Sequence, residues 1–487
     1  MLDDHDRRLL EHVRPPDWVN PSPKAIYDLV VIGGGTAGLV CAAGAAGLGA
    51  RVALVERSRL GGDCLNTGCV PSKALIRSAR VVGAARAGAE VGVAADARVD
   101  FGAVMSRVRA RRADIAPHDS AARLASLGID VFFGDAAFAD PQTVSVSGAV
   151  LRFRRAVIAT GSRPAVPPIP GLADARFLTS ETLFDLTEQP RELAVLGGGP
   201  IGCEMAQAFA RLGSRVTLFE GARQLLPHED GDAAAIVTSA LTADGVDVRL
   251  SAPVTRVSRS AEATRLEFDG GGVVADAVLV ATGRAPNTAG LGLDAAGVAH
   301  DADGIRVGPT LRTTNLRIFA AGDVASRFKF THAADALARI VIQNALFFGR
   351  KRADRIVMPW CTFTDPEVAH VGVTSAEASA QQALTITVPL GDVDRAIVDD
   401  ETGGFVRVHH RSGRILGATI VAPSAGEMIG TVACAMQKGA GLGDLAGTVF
   451  PYPTLSLAFR QAGDSYRRGS LTPRVRRLLD WYFSARR

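Results

Sequence analysis

The stretch "AIYDLVVIGGGTAGLVCAAGAAGLGARVALVER", residues 25–57, reads as a strand, a glycine turn, a small-residue helix and a second strand. That order is a βαβ unit. Gly33, Gly35 and Gly38 form GxGxxG directly after an apolar run, and Glu56 closes the second strand 23 residues beyond the first glycine. Gly33 permits the tight turn, Gly35 lets backbone approach a pyrophosphate, and Gly38 lets helix and strand pack closely. Glu56 is placed to hold a ribose hydroxyl. The anion itself belongs at the helix N-terminus.

A second copy, "ELAVLGGGPIGCEMAQAFARLGSRVTLFEGA", covers residues 192–222, with Gly197, Gly199 and Gly202 and with Glu220 again 23 residues after the first glycine. A lone GxGxxG is weak, but two in full strand-turn-helix-strand context predict two bound dinucleotides. "AVIATGSRPAVP" at 156–167 and "AVLVATGRAPNT" at 277–288 are apolar strands ending in Ala-Thr-Gly, at Thr160–Gly161 and at Gly283. Each is expected to return to its sheet and close a dinucleotide domain, and "IFAAGDVA" at 318–325 adds a strand ending at Asp323. From about residue 355 the composition changes to alternating strands and a helical "GEMIGTVACAMQKGA", which predicts a third, mixed α/β domain. The fold class is therefore α/β, with two Rossmann-like domains and a C-terminal mixed α/β domain.

The 487 residues suit roughly three domains. Fifty-four basic residues against 50 acidic ones give a net charge of +4, which calls for no nucleic acid partner. The N-terminal stretch carries acids where a signal peptide needs basic residues, and no apolar segment follows it. The chain is expected in the cytoplasm, where thiols stay reduced.

"GGDCLNTGCVPSK", residues 61–73, places Cys64 and Cys69 five positions apart in a chain with six cysteines. A continuous helix would separate them by ~7.5 Å along its axis, whereas a disulfide tolerates only ~7 Å between Cα atoms. The chain must leave helical geometry between them, and Gly68 with positive φ or a left-handed Asn66 would supply the break. Helix resuming at "VPSKALIRSAR" puts Cys69 near its N-terminus, where dipole and free amides favour a thiolate, and Lys73 one turn later. Cys41, Cys203, Cys361 and Cys434 are scattered singly and read as buried packing, so no zinc ligand set is visible and no metal site is expected. A redox couple is the reading these residues favour.

The glycine turn, CxxxxC followed by Val-Pro-Ser-Lys, the second glycine turn, "GRAPNT" and "AAGDV" together resemble the flavoprotein disulfide reductases over about residues 26–465. The resemblance implies FAD binding by 26–165 and 290–354, NAD(P)H binding by 166–289, dimerisation through 355–487, and an N-terminal extension at 1–25. It implies a homodimer in which Cys69 is the thiol beside the flavin and Cys64 the exposed interchange thiol. Lys73 and Glu204 match an ion pair next to the flavin, and Asp323 matches the aspartate on the ribityl chain. Glu220 favours NADH, with NADPH as the alternative because Arg223 is close in sequence.

One position departs from that pattern. Disulfide-reducing members carry a histidine, and a glutamate five residues on, that protonate the leaving thiolate; here "VFPYPTLSLAFRQA", residues 449–462, has Tyr452 and Leu457 in those places. A phenol with pKa near 10 is a poor base, and losing a positioned acid/base costs ~10²–10⁴-fold. A tyrosine there resembles the mercuric-reductase branch, although no cysteine pair follows Cys434. The acceptor is thus expected to be a disulfide or another small acceptor, with a soft metal ion, mercuric or cupric, as the alternative. A third reading is a membrane-associated, NADH-sensing flavoprotein, motivated by the basic amphipathic tail "TPRVRRLLDWYFSARR", residues 472–487; packing of that helix on its own subunit is the preferred alternative. Of the remaining histidines, His332 is read as near the flavin or as a cap, His370 as packed at the subunit interface, and His409 and His410 as solvated.

Overall fold

The computed structural model describes residues 3–260, 263–347, 349–469 and 471–486. Its contacts divide the chain into two compact units, one of Met1–Gly197, Ala208–Phe219 and Pro253–Arg355, the other of Gly198–Gln207, Glu220–Ala252 and Ile356–Arg487.

In the first unit the apolar run before Gly33 forms the strand Tyr27–Ile32, whose residues are almost all buried, as a strand covered on both faces requires. It pairs in parallel with Val52–Glu56 on one side and with Ala149–Ile158 on the other, with Val31 opposite both Leu54 and Val157. Asp130–Phe133 extends the sheet beyond Val52–Glu56, and Ile318–Ala320 lies parallel to Ala149–Ile158. Residues on either side of the second glycine turn therefore return to the first sheet. Thr143–Val146 and Ala136–Asp140 complete it as antiparallel strands. A second parallel set joins Glu192–Leu196 to Arg215–Phe219 and to Ala277–Val280. The exits of the two Ala-Thr-Gly strands, Ser162–Pro164 and Arg284–Pro286, pair with each other antiparallel.

The N-terminal segment is part of this unit. Asp3 caps the helix Asp4–Val13 by accepting from the Asp6 N–H at 2.8 Å, and Leu9 and Val13 are buried. Trp18 donates to the Val131 carbonyl at 3.1 Å, and Asn20 exchanges hydrogen bonds with Phe133.

The second unit contains an antiparallel sheet in the order Pro359–Thr362, Glu367–Gly372, Arg414–Ala422, Phe405–Arg411, Leu384–Pro389. The helix Ala425–Lys438 buries Met428, Ile429 and Val432 in its core. This placement corrects three histidines. His370 is buried inside the sheet, bonded to Thr419 and to the Gly372 carbonyl, with its ring 4.5 Å from that of Trp360. His409 bonds Thr385 and Ser375, and His410 packs edge-on against Tyr466. A bulge between His409 and His410 breaks the strict alternation that would have turned one of them to water. Burial lowers the pKa of all three. Cys434 corrects another expectation: it is exposed on the outer face of its helix, whereas Cys41 and Cys203 are buried and Cys361 is half-buried.

Candidate active site

Gly33 adopts φ 107°, and a Cβ there would lie 2.3 Å from the Ala159 carbonyl oxygen. A Cβ at Gly38 would lie 1.8 Å from the Gly33 oxygen, and one at Gly35 would lie 3.6 Å from the Gly62 Cα. The cradle therefore admits glycine alone at Gly33 and Gly38 and leaves backbone bare where the pyrophosphate of a dinucleotide would approach. Glu56 is buried and its two oxygens accept the Gly34 and Ser58 amides, both at 2.6 Å. Burial raises its pKa, against the pull of those two amides.

The cysteine loop is tied to this turn. The chain returns from Glu56 so that the Gly61 N–H donates to the Gly34 carbonyl at 2.9 Å. A short helix, Gly62–Asn66, carries Cys64; Thr67 ends it, and a new helix, Cys69–Ala87, begins at the second cysteine. The break differs from the expected one. Gly68 has φ −125° and Asn66 remains helical, so no left-handed residue is used. Glycine is needed at 68 because a Cβ would meet the Asp63 carbonyl oxygen at 2.9 Å. Asn66 is buried and locks the first helix by donating to the Leu60 and Gly62 carbonyls at 3.0 and 2.8 Å.

Interaction with the neighbouring Cys69 thiol, followed by burial, raises the Cys64 pKa far above that of a free thiol. Cys69 also shares a 3.4 Å hydrogen bond with the Thr331 hydroxyl. Cys69, the first residue of its helix, is exposed and Cys64 is half-buried. Cys69, Val70, Lys73, Ala74, Arg111 and Ile115 line a cavity of about 350 Å³.

Asp323 lies at the end of Ile318–Ala320, accepting from the Ser162 hydroxyl at 2.6 Å and 3.6 Å from Nε of Arg284. Arg284 also donates to the Ser162 hydroxyl at 2.7 Å and pairs with Asp63, the residue before Cys64. One half-buried guanidinium thus links the cysteine loop to Asp323. Burial lowers its pKa and the Asp323 charge opposes the shift. Thr160 donates to the Asn287 carbonyl at 2.7 Å, and the Gly161 oxygen accepts from the Asn287 amide at 3.0 Å. At Gly283, φ is 140° and the carbonyl accepts from Ala165 at 2.9 Å. Thr160, Gly161 and Gly283 therefore stitch the two Ala-Thr-Gly exits together.

The second glycine turn repeats the first. Gly197 has φ 106°, and a Cβ there would lie 2.6 Å from the Ala281 oxygen. Within the second unit, Glu220 accepts the Gly198 and Ala222 amides, each at 2.7 Å. Gly199 has open space around its Cβ position, and Gly202 is buried in the helix Pro200–Leu212. Glu204, on that helix, accepts the Phe363 amide at 2.9 Å; Lys73 is half-buried in the first unit. Tyr452 is 72% exposed and its phenol donates to Asp394 at 3.0 Å, which raises its pKa. His332 is exposed and stacks on Phe330, with ring centroids 5.4 Å apart.

Three residues escaped the sequence reading. Arg284 was signalled by being the one cation inside "GRAPNT". Arg112, whose side chain is 2% exposed, pairs with Asp6 at 3.1 Å and donates to the Asn66 carbonyl at 3.0 Å, bracing the cysteine loop from the N-terminal helix. Asp119 lies with Oδ2 3.0 Å from the Cβ position of Gly61. Neither Arg112 nor Asp119 carries any local motif.

Residues 27–338 match the family described as pyridine nucleotide-disulphide oxidoreductase, and 358–462 match that family's dimerisation domain. A mercuric reductase of Lysinibacillus sphaericus is 35% identical over 446 residues, covering 90% of this chain and 82% of that protein. A dihydrolipoyl dehydrogenase of Mycoplasma pneumoniae is 33% identical over 448 residues, covering 88% of this chain and 96% of the relative. Among solved structures, a Cu(II) complex of the HOCl-induced flavoprotein disulfide reductase RclA from Escherichia coli superposes with a TM-score of 0.80 at 32% identity, covering 89% of this chain and 98% of that one. The chain belongs to the pyridine nucleotide-disulphide oxidoreductases, enzymes that work with FAD and NAD(P)H.

Proposed function

We propose that Cys64 and Cys69 are the redox pair of this oxidoreductase and that electrons leave through them to a small acceptor. The observation that carries this reading is that Cys64, on one short helix, and Cys69, at the start of the next, stand in a loop bonded back to the first glycine turn. In this reading Gly33, Gly35, Gly38, Glu56, Thr160, Gly161 and Asp323 surround FAD. Gly197, Gly199, Gly202, Glu220 and Gly283 receive the nicotinamide dinucleotide. Glu220 disfavours a 2′-phosphate, which makes NADH the preferred donor. Lys73 and Glu204 serve the flavin, residues 355–487 hold two copies together, and the enzyme works in the cytoplasm.

When bound, FAD supplies acceptance of a hydride from the nicotinamide and delivery of its electron pair to a disulfide. The rest falls to the chain. Two electrons open the Cys64–Cys69 bond; one sulfur takes a proton, and the raised pKa of Cys64 makes it the holder. Cys69, at a helix N-terminus and bonded to Thr331, is placed to carry the remaining charge. With a disulfide acceptor, NAD(P)H and one proton yield NAD(P)⁺ and two thiols.

A second reading, reduction of a soft metal ion, is favoured by Tyr452. A phenol bonded to Asp394 is a poor proton donor to a leaving thiolate, whereas a soft cation binds thiolates and needs no such donor. Mercuric reductases are among the relatives, and RclA has been solved as a Cu(II) complex.

Anaerobic titration with NADH, watched for long-wavelength thiolate–flavin absorbance, followed by oxidised lipoamide, glutathione disulfide, mercuric or cupric ion, tests both readings. Cys64→Ser and Cys69→Ser are each expected to lower acceptor turnover by at least ~10³-fold while flavin reduction by NADH persists. Unchanged turnover in both variants would remove the thiols from the reaction.

A further inference from the structure

The helix Pro473–Ser484 ends the described chain, beyond the residues that match the family. Thr472 caps it by accepting from the Val475 amide, and Pro473 opens its first turn. Twelve residues are thus built as a helix by local signals. Yet none of them is buried, contrary to the expectation that the helix packs on its own subunit.

The exposed side chains are ordered. Val475, Leu478, Leu479 and Tyr482 stand at i, i+3, i+4 and i+7, one continuous stripe. Leu478 is 61% exposed and Tyr482 41%. Arg476, Arg477, Asp480 and Ser484 occupy the opposite face, by the same geometry. Trp481 and Phe483, 66% and 55% exposed, fall on the two borders between stripe and polar face. Arg474 lies on the Trp481 border, and the Arg486 guanidinium sits 4.6 Å over the Tyr482 ring. Arg474, Arg476 and Arg477 on the helix and Arg486 just beyond its C-cap, against Asp480 alone, make this segment strongly basic, and Arg467 and Arg468 lie in the last turn of the preceding helix. Arg487 lies outside the described residues.

We propose that Pro473–Ser484 is a docking helix for an anionic lipid surface. It lies in the interface plane with Val475, Leu478, Leu479 and Tyr482 toward the acyl chains and its arginines at the headgroups. Three observations select this occupant over a protein groove. The arginines crowd both the polar face and its borders, so the whole rim calls for negative charge. Aromatic side chains with polar edges, Trp481 and Tyr482, sit at the depth where headgroups meet hydrocarbon. The stripe is narrow and the helix short, enough to lie on a bilayer; no helix among the described residues is long and apolar enough to cross one.

The test uses the FAD-loaded full chain in co-sedimentation with phosphatidylcholine vesicles, with and without phosphatidylglycerol, at low and high salt. The full chain is expected to sediment with the phosphatidylglycerol vesicles at low salt only, and NADH oxidation is expected to stay the same after deletion of residues 471–487. Replacing Arg474, Arg476 and Arg477 by Gln is expected to weaken vesicle binding on the order of a hundredfold. Leu478→Asp is expected to weaken it about tenfold or more. Trp481 emission should shift to the blue on anionic vesicles, and Trp481→Phe should abolish that shift while Trp18 and Trp360 remain. Equal binding by the full and shortened chains would overturn the proposal, as would absence of binding by the full chain. A shortened chain that turns from dimer to monomer, with neither form on vesicles, would also overturn it by assigning the helix to a second copy.

Discussion

The two glycine turns begin as copies and end as opposites. In each, the middle glycine lies under a leucine, Gly34 under Leu60 and Gly198 under Leu225, and both leucines are fully buried. In each, the terminal acid gathers two backbone amides, and the chain then returns to donate to the middle glycine's carbonyl, from Gly61 at 2.9 Å and from Leu226 at 2.8 Å. Even the returning residues share a left-handed backbone, with φ 87° at Gly61 and 47° at Leu226. After that they diverge. The first loop enters the two helices that carry Cys64 and Cys69; the second runs through "LPHED" into the helix Gly231–Ala243. The turn is built the same way in both, and on the proposed function it is the dozen residues after its return that set the two apart, by carrying Cys64 and Cys69 in the first alone.

Matching substitutions in the first glycines break the comparison most severely. Alanine at Gly33 or Gly197 adds positive-φ strain of ~1–3 kcal/mol and drives a Cβ to 2.3 or 2.6 Å from a carbonyl oxygen. Both variants should lose roughly 3 kcal/mol or more of stability in thermal unfolding. The functional losses should separate. Gly33→Ala is expected to purify without flavin, and Gly197→Ala to keep its flavin while the KM for NADH rises more than ~10-fold. A colourless Gly197→Ala would reverse the assignment of the two turns.

The next contrast lies in what the second loop holds instead of thiols. Glu229 accepts from the Trp360 indole at 2.6 Å, while its other oxygen is buried without a partner among the described residues. Burial pushes its pKa up to about 7, with Trp360 opposing and Asp230 adding to the shift. The folded state thus holds the proton more tightly than the unfolded chain does, starting from 4.5. The stability Glu229 contributes is complete below pH 4.5 and declines as pH rises to about 7, by roughly 3 kcal/mol at about 1.4 kcal/mol per unit. Glu229→Gln keeps the acceptor for Trp360 and removes the titration. Melting curves should show it gaining on the wild type between pH 5 and pH 8. Parallel curves would mean that the carboxyl is solvated.

What the sequence reveals follows from how local each determinant is. The glycine turns, their acids and the cysteine spacing were legible because each leaves a strand period, a turn residue or a helix cap within about 25 residues of chain, even where the contact that enforces it, as from Gly33 to Ala159, is distant. The break at Gly68 was legible in its place and not in its conformation, since close approach to the Asp63 carbonyl is a matter of packing. His409 and His410 were misread because a single bulge cancels alternation. Arg112 and Asp119 were missed for a stronger reason: their partners, Asn66 and Gly61, lie 46 and 58 residues away, and no pattern in either segment announces the other.

Asp119 offers the finest test of the difference between the loops. At the return of the second loop stands Leu226, buried and apolar; at the return of the first stands Gly61, and the space beside it is taken by the Asp119 carboxyl. Burial raises the pKa of Asp119, with Arg123 and His118 opposing. Its negative charge adds to the interaction with the Cys69 sulfur and to burial in raising the Cys64 pKa. Asp119→Asn keeps the shape and removes the charge, so Cys64 should ionise at lower pH, the opposite sign from adding a base. Alkylation of the reduced enzyme by iodoacetamide, mapped to Cys64 by peptide analysis, is expected to run severalfold faster at pH 7.5 in the variant, with the two rates converging as pH rises. An unchanged profile would confine Asp119 to packing, and the chemical distinction between the two loops would then rest on the cysteines alone.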